Sequence, residues 1–390
     1  MAADVVFILV AWSATRALIF AALFLTAHAA GNPLTNWDGE WYQRIATVGY
    51  EYSPDGRQHD VAFFPLYPLT VAALMRVVPL PFGIAAPLVD NLAFLLALGS
   101  LFAWLSRRCD RATARWSVAT LCLLPASVFT AVAYSEGLFM FLSASALRAF
   151  ERRAYRRAAL FAALASGTRS FGVLLGPAFA LATRREAPHP SRAAYLCALG
   201  ALVGPLAYAS YCGLAFGDPL AFVHVQAAWR IGLGFSFPDW EYVFAYGVTW
   251  RWPLQSAIVA ASLGWLLLRA KLPRRVSRTI VFALAVAELL IWGKERMIFL
   301  LLGVGCFALV RYRARLGIAA TAYALSALAV IVFSGKPYSA ERLAYAVVPI
   351  ACALALLWRR VPALGLAALT VGLVDLLLYA VRFAAGIFVD

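Results

Sequence analysis

Residues 4–42 read DVVFILVAWSATRALIFAALFLTAHAAGNPLTNWDGEWY. The run over 4–28 is apolar and long enough to cross a bilayer, whose hydrocarbon core takes about 20 helical residues. No basic stretch precedes it, and no small-residue cleavage site with polar sequence follows it. It therefore reads as a retained first span rather than a removed signal. Directly beyond it, Asn36-Trp37-Asp38-Gly39-Glu40-Trp41-Tyr42 places two carboxylates and two tryptophans at the expected water–lipid boundary. Charge at that depth is costly unless it is used.

The same alternation of long apolar run and short polar break continues along the chain. Of the 390 residues, 63% are hydrophobic and 14% are charged, whereas a soluble protein carries roughly a quarter charged residues. The runs are long and separated by arginine clusters, so the chain reads as an all-α polytopic membrane protein and not a β-barrel. The net charge of +15 is not a nucleic-acid footprint, because the arginines sit in short loops between spans, where they set orientation. Clusters at Arg107-Arg108, Arg152-Arg153, Arg184-Arg185, Arg274-Arg275, Arg311 to Arg315 and Arg359-Arg360 all fall on one side if the first span runs outward. That side is then cytoplasmic. With this orientation residues 61–79, interrupted by Pro65, Pro68 and Pro79, form an interfacial or re-entrant helix on the outer side. Residues 29–83 become a first outer loop, 216–252 a second, and 1–390 a single transmembrane domain. Residues 158–183 are broken at Ser166-Gly167-Thr168-Arg169-Ser170 into two short helices meeting near the outer face. The six cysteines form no CxxC pair and read as free thiols. No HExxH or His/Cys cluster appears, so neither a metal nor another cofactor is expected.

Acidic and basic residues share the outer face. Asp38 either deprotonates a hydroxyl nucleophile, helped by apolar surroundings, or caps the helix beginning at Gly39. Trp37 and Trp41 are sugar platforms or aromatic-belt anchors. Glu40 stands beside them, and His59-Asp60 is a second polar point, as site or as helix start. Glu136, preceded by Tyr134 and Ser135, lies in a tight turn between helices, as a functional boundary acid or in the first turn of a helix capped by Ser135. Arg169, between two half-helices, needs an anion: a lipid phosphate or an internal partner such as Glu136. Lys294, Arg296 and Arg342, at outer ends of spans, bind phosphate or snorkel to headgroups. Asp90, Glu288 and Asp375 lie within spans, as interhelical hydrogen-bond partners or as neutral acids along a transport path.

Taken together these segments resemble the glycosyltransferase C (GT-C) superfamily, and within it the GPI mannosyltransferase 2 family and its bacterial relatives. The resemblance rests on Trp37-Asp38 with Tyr42, Gly49-Tyr50, Ala62 to Leu69 (AFFPLYPL), Pro125-Ala126-Ser127, Ala133-Tyr134-Ser135-Glu136 and Gly167-Thr168-Arg169-Ser170-Phe171-Gly172. Phe171 departs from a position that is usually small and polar. Gly217-Asp218-Pro219 and Glu341-Arg342-Leu343 are weaker echoes, and coverage thins after about residue 220. The resemblance implies a GT-C bundle of about 11–13 transmembrane helices. It also implies an inverting, metal-independent transfer of mannose from a polyprenyl-phosphate-mannose donor to a glycan or lipid acceptor. Asp38 would be the base. Arg169, Arg342, Lys294 and Arg296 would hold the donor phosphate. Glu40, Trp37, Trp41, His59, Asp60, Tyr134 and Glu136 would contact sugar or acceptor. The expected setting is a monomer among the lipids of a bacterial inner membrane, its site facing the periplasm. A polytopic transporter of lipid-linked sugars is the alternative, and the gathering of charge at one face speaks against it.

Overall fold

The computed structural model describes residues 2–27, 32–186, 191–229, 234–241, 273–291, 296–335, 337, 339–387 and 389. The expected span over 253–269 lies outside the described residues, as does Lys294. Among the described residues the chain is helical apart from a two-residue parallel bridge, Gly234–Phe235 with Ser334–Gly335.

Helix α1 (Ala2–Thr26) is the first apolar run. A short amphipathic helix, α2 (Asp38–Thr47), and α3 (Leu66–Val77) follow. At 12 residues α3 is about 18 Å long, too short to span. Helix α4 (Phe82–Arg108) crosses the bundle, and α5 (Arg111–Leu123) returns. The apolar run in the sequence leads one to expect a span over residues 114–133. It stops at Leu124 instead, because Pro125 cannot donate to the ladder, and a 3-10 turn over Pro125–Thr130 follows. Helix α6 (Glu136–Glu151) packs on α4, and α7 (Tyr155–Thr168) packs on α6. The expected break follows α7, through the turn Ser170–Leu174 into α8 (Leu175–Glu186).

Helix α9 (Arg192–Phe216) closes the first half. The second half runs α10 (Arg274–Ile291), α11 (Gly305–Arg311), α12 (Ile318–Val332), α13 (Ala340–Ala346), α14 (Val348–Arg360) and α15 (Pro362–Ala384). Among the described residues four helices are long and apolar enough to cross a membrane alone: α1, α4, α9 and α15. The expected span over 342–358 is instead the bent pair α13 and α14, turned by 82°. Pro349 sits in the first turn of α14, where its missing N–H costs nothing, and the two helices meet at Val347.

Small residues let the helices approach. A Cβ on Gly204 of α9 would lie 2.3 Å from the Gly167 nitrogen of α7. Ser100 and Ser145 hydrogen-bond across α4 and α6 at 3.2 Å. This is how helices associate where lipid removes the hydrophobic drive. Another close approach lies beside the charged cluster. A Cβ on Gly137 would sit 2.4 Å from the Asp90 carbonyl oxygen and 2.9 Å from its Oδ1. Asp90, fully buried on α4, accepts the Leu138 N–H at 3.0 Å and so holds the first turn of α6. Gly137→Ala is expected to push α6 off α4 and cost about 1–3 kcal/mol, as overpacking does. Gly99→Ala, with nothing within 4 Å of its added Cβ, is expected to be neutral. Thermal unfolding of the two variants in detergent compares them directly, and equal midpoints would refute the close approach.

Of the arginine clusters expected on one side, those around Arg108, Arg153, Arg311 to Arg315 and Arg359-Arg360 come together. Arg108 pairs with Glu151 and donates to the Arg315 carbonyl at 2.7 Å. Arg359 pairs with Asp110 at 3.1 Å, and Arg115 with Asp4 at 2.8 Å. Asp90, in the first half of α4 and about 27 Å along the helix from Arg108, lies beside the cluster described next.

A candidate active site around Asp38 and Arg342

Two carboxylates and two arginines interlock at this end of the bundle. Arg342 on α13 reaches Asp38 on α2, Nη2 to Oδ2 at 2.8 Å. Its Nε lies 3.2 Å from Glu136 Oε1 on α6. Arg169, in the break after α7, donates from Nη1 to the same Glu136 oxygen at 2.6 Å and to Ser135 Oγ at 3.2 Å. Glu136 is fully buried, and its Oε2 has no hydrogen-bond partner among the described residues. Asp38 keeps a fifth of its side chain exposed, so the opening lies on its side of the cluster.

Aromatic rings frame the charges. The Arg342 guanidinium lies over Phe129 and Tyr134, 5.2 Å from each centroid. The Tyr134 hydroxyl accepts the Asp38 N–H at 3.3 Å. Tyr42 and Ser135 share a hydrogen bond at 2.9 Å, which ties α2 to the start of α6. Burial raises the Tyr42 hydroxyl well above its ordinary pKa, so it remains a proton-bearing partner.

The caps suggested by sequence are not made. Asp38 is the first residue of α2, Trp37 precedes it, and no side chain caps the helix. Ser135 likewise makes no cap bond and spends its oxygen on Tyr42 and Arg169. Among the described residues three non-glycine residues have positive φ: Trp37 at 60°, Ser339 at 59° and Arg153 at 57°. The first two begin the helices that carry Asp38 and Arg342. Such backbone costs about 1–3 kcal/mol and persists only where surrounding contacts impose it.

Other candidates stand apart from this quartet. Glu40 is exposed and makes no ion pair among the described residues, since two residues along a helix turns it away from Asp38. Trp37 is 38% exposed. Trp41 stacks on Phe63 and meets Trp229 edge-on at 5.6 Å, so it faces the second outer loop. His59 pairs with Asp55 at 2.8 Å. Asp60 is buried, accepts the Glu51 N–H at 2.8 Å and has Arg44 at 3.6 Å, which holds the loop between α2 and α3. Arg296 forms a bidentate pair with Asp375 of α15 rather than joining Arg342.

Burial pushes the Asp60 carboxyl up to about 6 from its ordinary 3.8, despite Arg44. A raised acid binds protons more tightly in the native loop than in the unfolded chain. The loop therefore loses stability as pH rises from about 3.8 to about 6. Cleavage between Tyr50 and Phe63 by limited proteolysis should accelerate over that interval. Asp60→Asn, which keeps an acceptor for the Glu51 N–H, should not show the acceleration. The opposite slope in the unsubstituted protein would rule this out.

Arg16, missed by the sequence reading, is buried in the middle of α1. It donates to Asn91 at 3.4 Å, Thr130 at 3.1 Å and Ser127 at 2.9 Å, which fixes the turn beneath Phe129. A lone basic residue inside a long apolar run was the signal for it. The other feature that went unread is the pair formed by Glu341 and Tyr379, which joins α13 to α15.

Residues 18–182 match the family described as Mannosyltransferase (PIG-V). The GPI alpha-1,6-mannosyltransferase 2 of Rattus norvegicus is 36% identical over 155 residues, covering 36% of this chain and 30% of the relative. That of Cricetulus griseus is 35% identical over 152 residues, with the same shares. The match thus spans about a third of the length of these curated relatives. Among solved structures, the oligosaccharyltransferase AglB of Archaeoglobus fulgidus, in complex with an inhibitory peptide and a dolichol-phosphate, superposes with a TM-score of 0.56. The identity is 12%, over 98% of this chain and 56% of AglB, so the likeness is one of fold. The chain is therefore similar over residues 18–182, which hold Asp38, Glu136 and Arg169, to the mannosyltransferase (PIG-V) family, and in fold to the GT-C glycosyltransferases.

Proposed function

We propose that the protein is a multi-pass membrane glycosyltransferase that moves mannose from a polyprenyl-phosphate-mannose donor to a hydroxyl acceptor. The reaction is inverting and metal-independent. It takes place on the non-cytoplasmic face, which in a bacterial inner membrane is the periplasmic side. The observation that carries this reading is the Asp38–Arg342 pair, which joins a partly exposed carboxylate to a cation also in reach of Glu136. The similarity of residues 18–182 to mannosyltransferases supports the sugar, and the fold shared with a dolichol-phosphate-bound oligosaccharyltransferase supports the lipid phosphate.

The acceptor oxygen attacks the anomeric carbon as Asp38 takes its proton. The bond from that carbon to the phosphate oxygen breaks, and polyprenyl phosphate departs with the electron pair. Arg342 and Arg169 neutralise the charge that develops there, the role a metal plays elsewhere. Glu136 holds both guanidinium groups at one point before the donor arrives, so little reorganisation is left for the reaction itself.

The test uses the full chain in proteoliposomes with polyprenyl-phosphate-linked radiolabelled mannose and a panel of mannoside and lipid-alcohol acceptors. One polyprenyl phosphate released per mannose transferred is the expected result. Movement of the intact donor across the bilayer without cleavage would overturn it in favour of a transporter.

A further inference from the structure

The end of the bundle opposite Asp38 holds an open bowl of about 680 Å³. Arg311, Arg315, Arg359 and Arg360 line it, with Tyr312, Ala314 and Leu356. Two helix ends converge to make it, the turn after α11 and the last turn of α14. Among the described residues only Arg359 of the four has an acid partner, Asp110, which is also engaged with the Thr113 N–H at 2.9 Å. Arg311 is exposed, with its guanidinium over the Tyr312 ring at 5.4 Å. Three unneutralised guanidinium groups around one concavity call for an anion with several acceptor oxygens.

A second hollow, of about 390 Å³, adjoins the first and shares Arg311 and Ala314 with it. It is lined further by Phe307, Val310 and Arg313. Phe307 is 61% exposed and Val310 45% exposed. Phe307 stands one turn before Arg311 on α11 and Val310 directly precedes it, both on the outer surface of the bundle. Phe307, Val310 and Arg311 fall at i, i+3 and i+4 of α11, a single stripe that passes from apolar to cationic at the helix end. A free phosphate or a soluble polyanion would use the bowl and leave the groove empty. A lipid uses both.

We propose that this bowl and groove form a binding site for one anionic glycerophospholipid, its headgroup phosphate among the four arginines and an acyl chain along Phe307 and Val310. The chemistry is that of basic pockets between transmembrane helices on an arginine-rich membrane face. The bound lipid ties α11 to α14, whose partner α13 carries Arg342 at the far end.

The full chain, purified in detergent, is incubated with equal amounts of phosphatidylglycerol and phosphatidylcholine, and retained lipid is read by native mass spectrometry. One phosphatidylglycerol per chain, in preference to phosphatidylcholine, is expected. The double substitution Arg311→Ala and Arg315→Ala should lower its occupancy roughly twenty-five-fold, taking about fivefold for each arginine at an anionic lipid. Arg156→Ala with Arg157→Ala, on the same face but away from the bowl, should leave it unchanged. Equal retention of phosphatidylcholine, or equal loss in the Arg156/Arg157 control, would overturn the site in favour of general surface attraction. Displacement by inorganic phosphate would overturn the lipid in favour of a free anion. Should the double variant fail to fold, Phe307→Ala keeps every charge, and undiminished retention in it would overturn the groove.

Discussion

Asp38→Asn is expected to reduce sugar transfer by about 10²–10⁴-fold, the range a positioned general base contributes, while donor affinity stays equal or tightens. Asparagine matches the shape of the carboxylate and keeps one oxygen for Arg342, so the start of α2 and its contact with Tyr134 should survive. What it loses is the proton affinity that a base requires. It also loses the negative charge that competes with a donor phosphate for Arg342. The two losses act on different constants: kcat falls, and KM for the donor does not rise. A residue that only positioned Arg342 would give another pattern, because releasing the arginine would impair donor binding together with turnover. Near-normal turnover would remove Asp38 from the chemistry altogether. Asp38→Glu separates geometry from charge, since it keeps the base but moves it by about one bond length; partial activity, well above that of the asparagine variant, is expected.

The sequence made some parts of this arrangement visible and hid others for physical reasons. Asp38 stood out because a carboxylate placed straight after a 25-residue apolar helix has high contrast, and its depth is set by that helix. The break at Arg169 was legible for the same reason: Ser-Gly-Thr-Arg-Ser cannot be buried as an ordinary apolar turn. The arginine-rich side followed from charge alone. Partner choice between distant segments did not follow. No local pattern says that Arg342 meets Asp38 from the other end of the chain, or that Arg296 takes Asp375 79 residues on. Capping was misleading in both of the places where it offered an alternative. The preference of Asp38 and Ser135 for cap positions is worth about 1 kcal/mol, and the buried ion pairs and the Tyr42 bond claim those side chains instead. Arg16 was hidden by its surroundings, since hydropathy averages a single arginine away. Its three neutral acceptors lie on α4 and on the turn after α5, which only the folded bundle brings together.

Arg342→Lys should lower transfer by about 10²-fold or more and, unlike the Asp38 substitution, should raise KM for the donor. The guanidinium meets Asp38 through Nη2 and faces Glu136 through Nε, with its plane over Phe129 and Tyr134. An ammonium is a point charge: it cannot face both acids in that fork and forfeits the flat stacking surface. Arg169→Lys should cost less, because Arg169 touches Glu136 and Ser135 and the ion pair with Asp38 belongs to Arg342. Removing the charge entirely is a different experiment. Arg342→Met leaves the fully buried Glu136 with Arg169 alone and Asp38 with no cation, and breaking a buried pair in this way costs about 3–5 kcal/mol of stability. The lysine variant is therefore the one that reads function, with thermal unfolding as its control. If Asp38 and Arg342 act as one unit, Asp38→Asn combined with Arg342→Lys should be scarcely worse than the more damaging single change. Strict multiplication of the two losses would mean independent roles, and the Asp38–Arg342 pair would then no longer explain the catalysis.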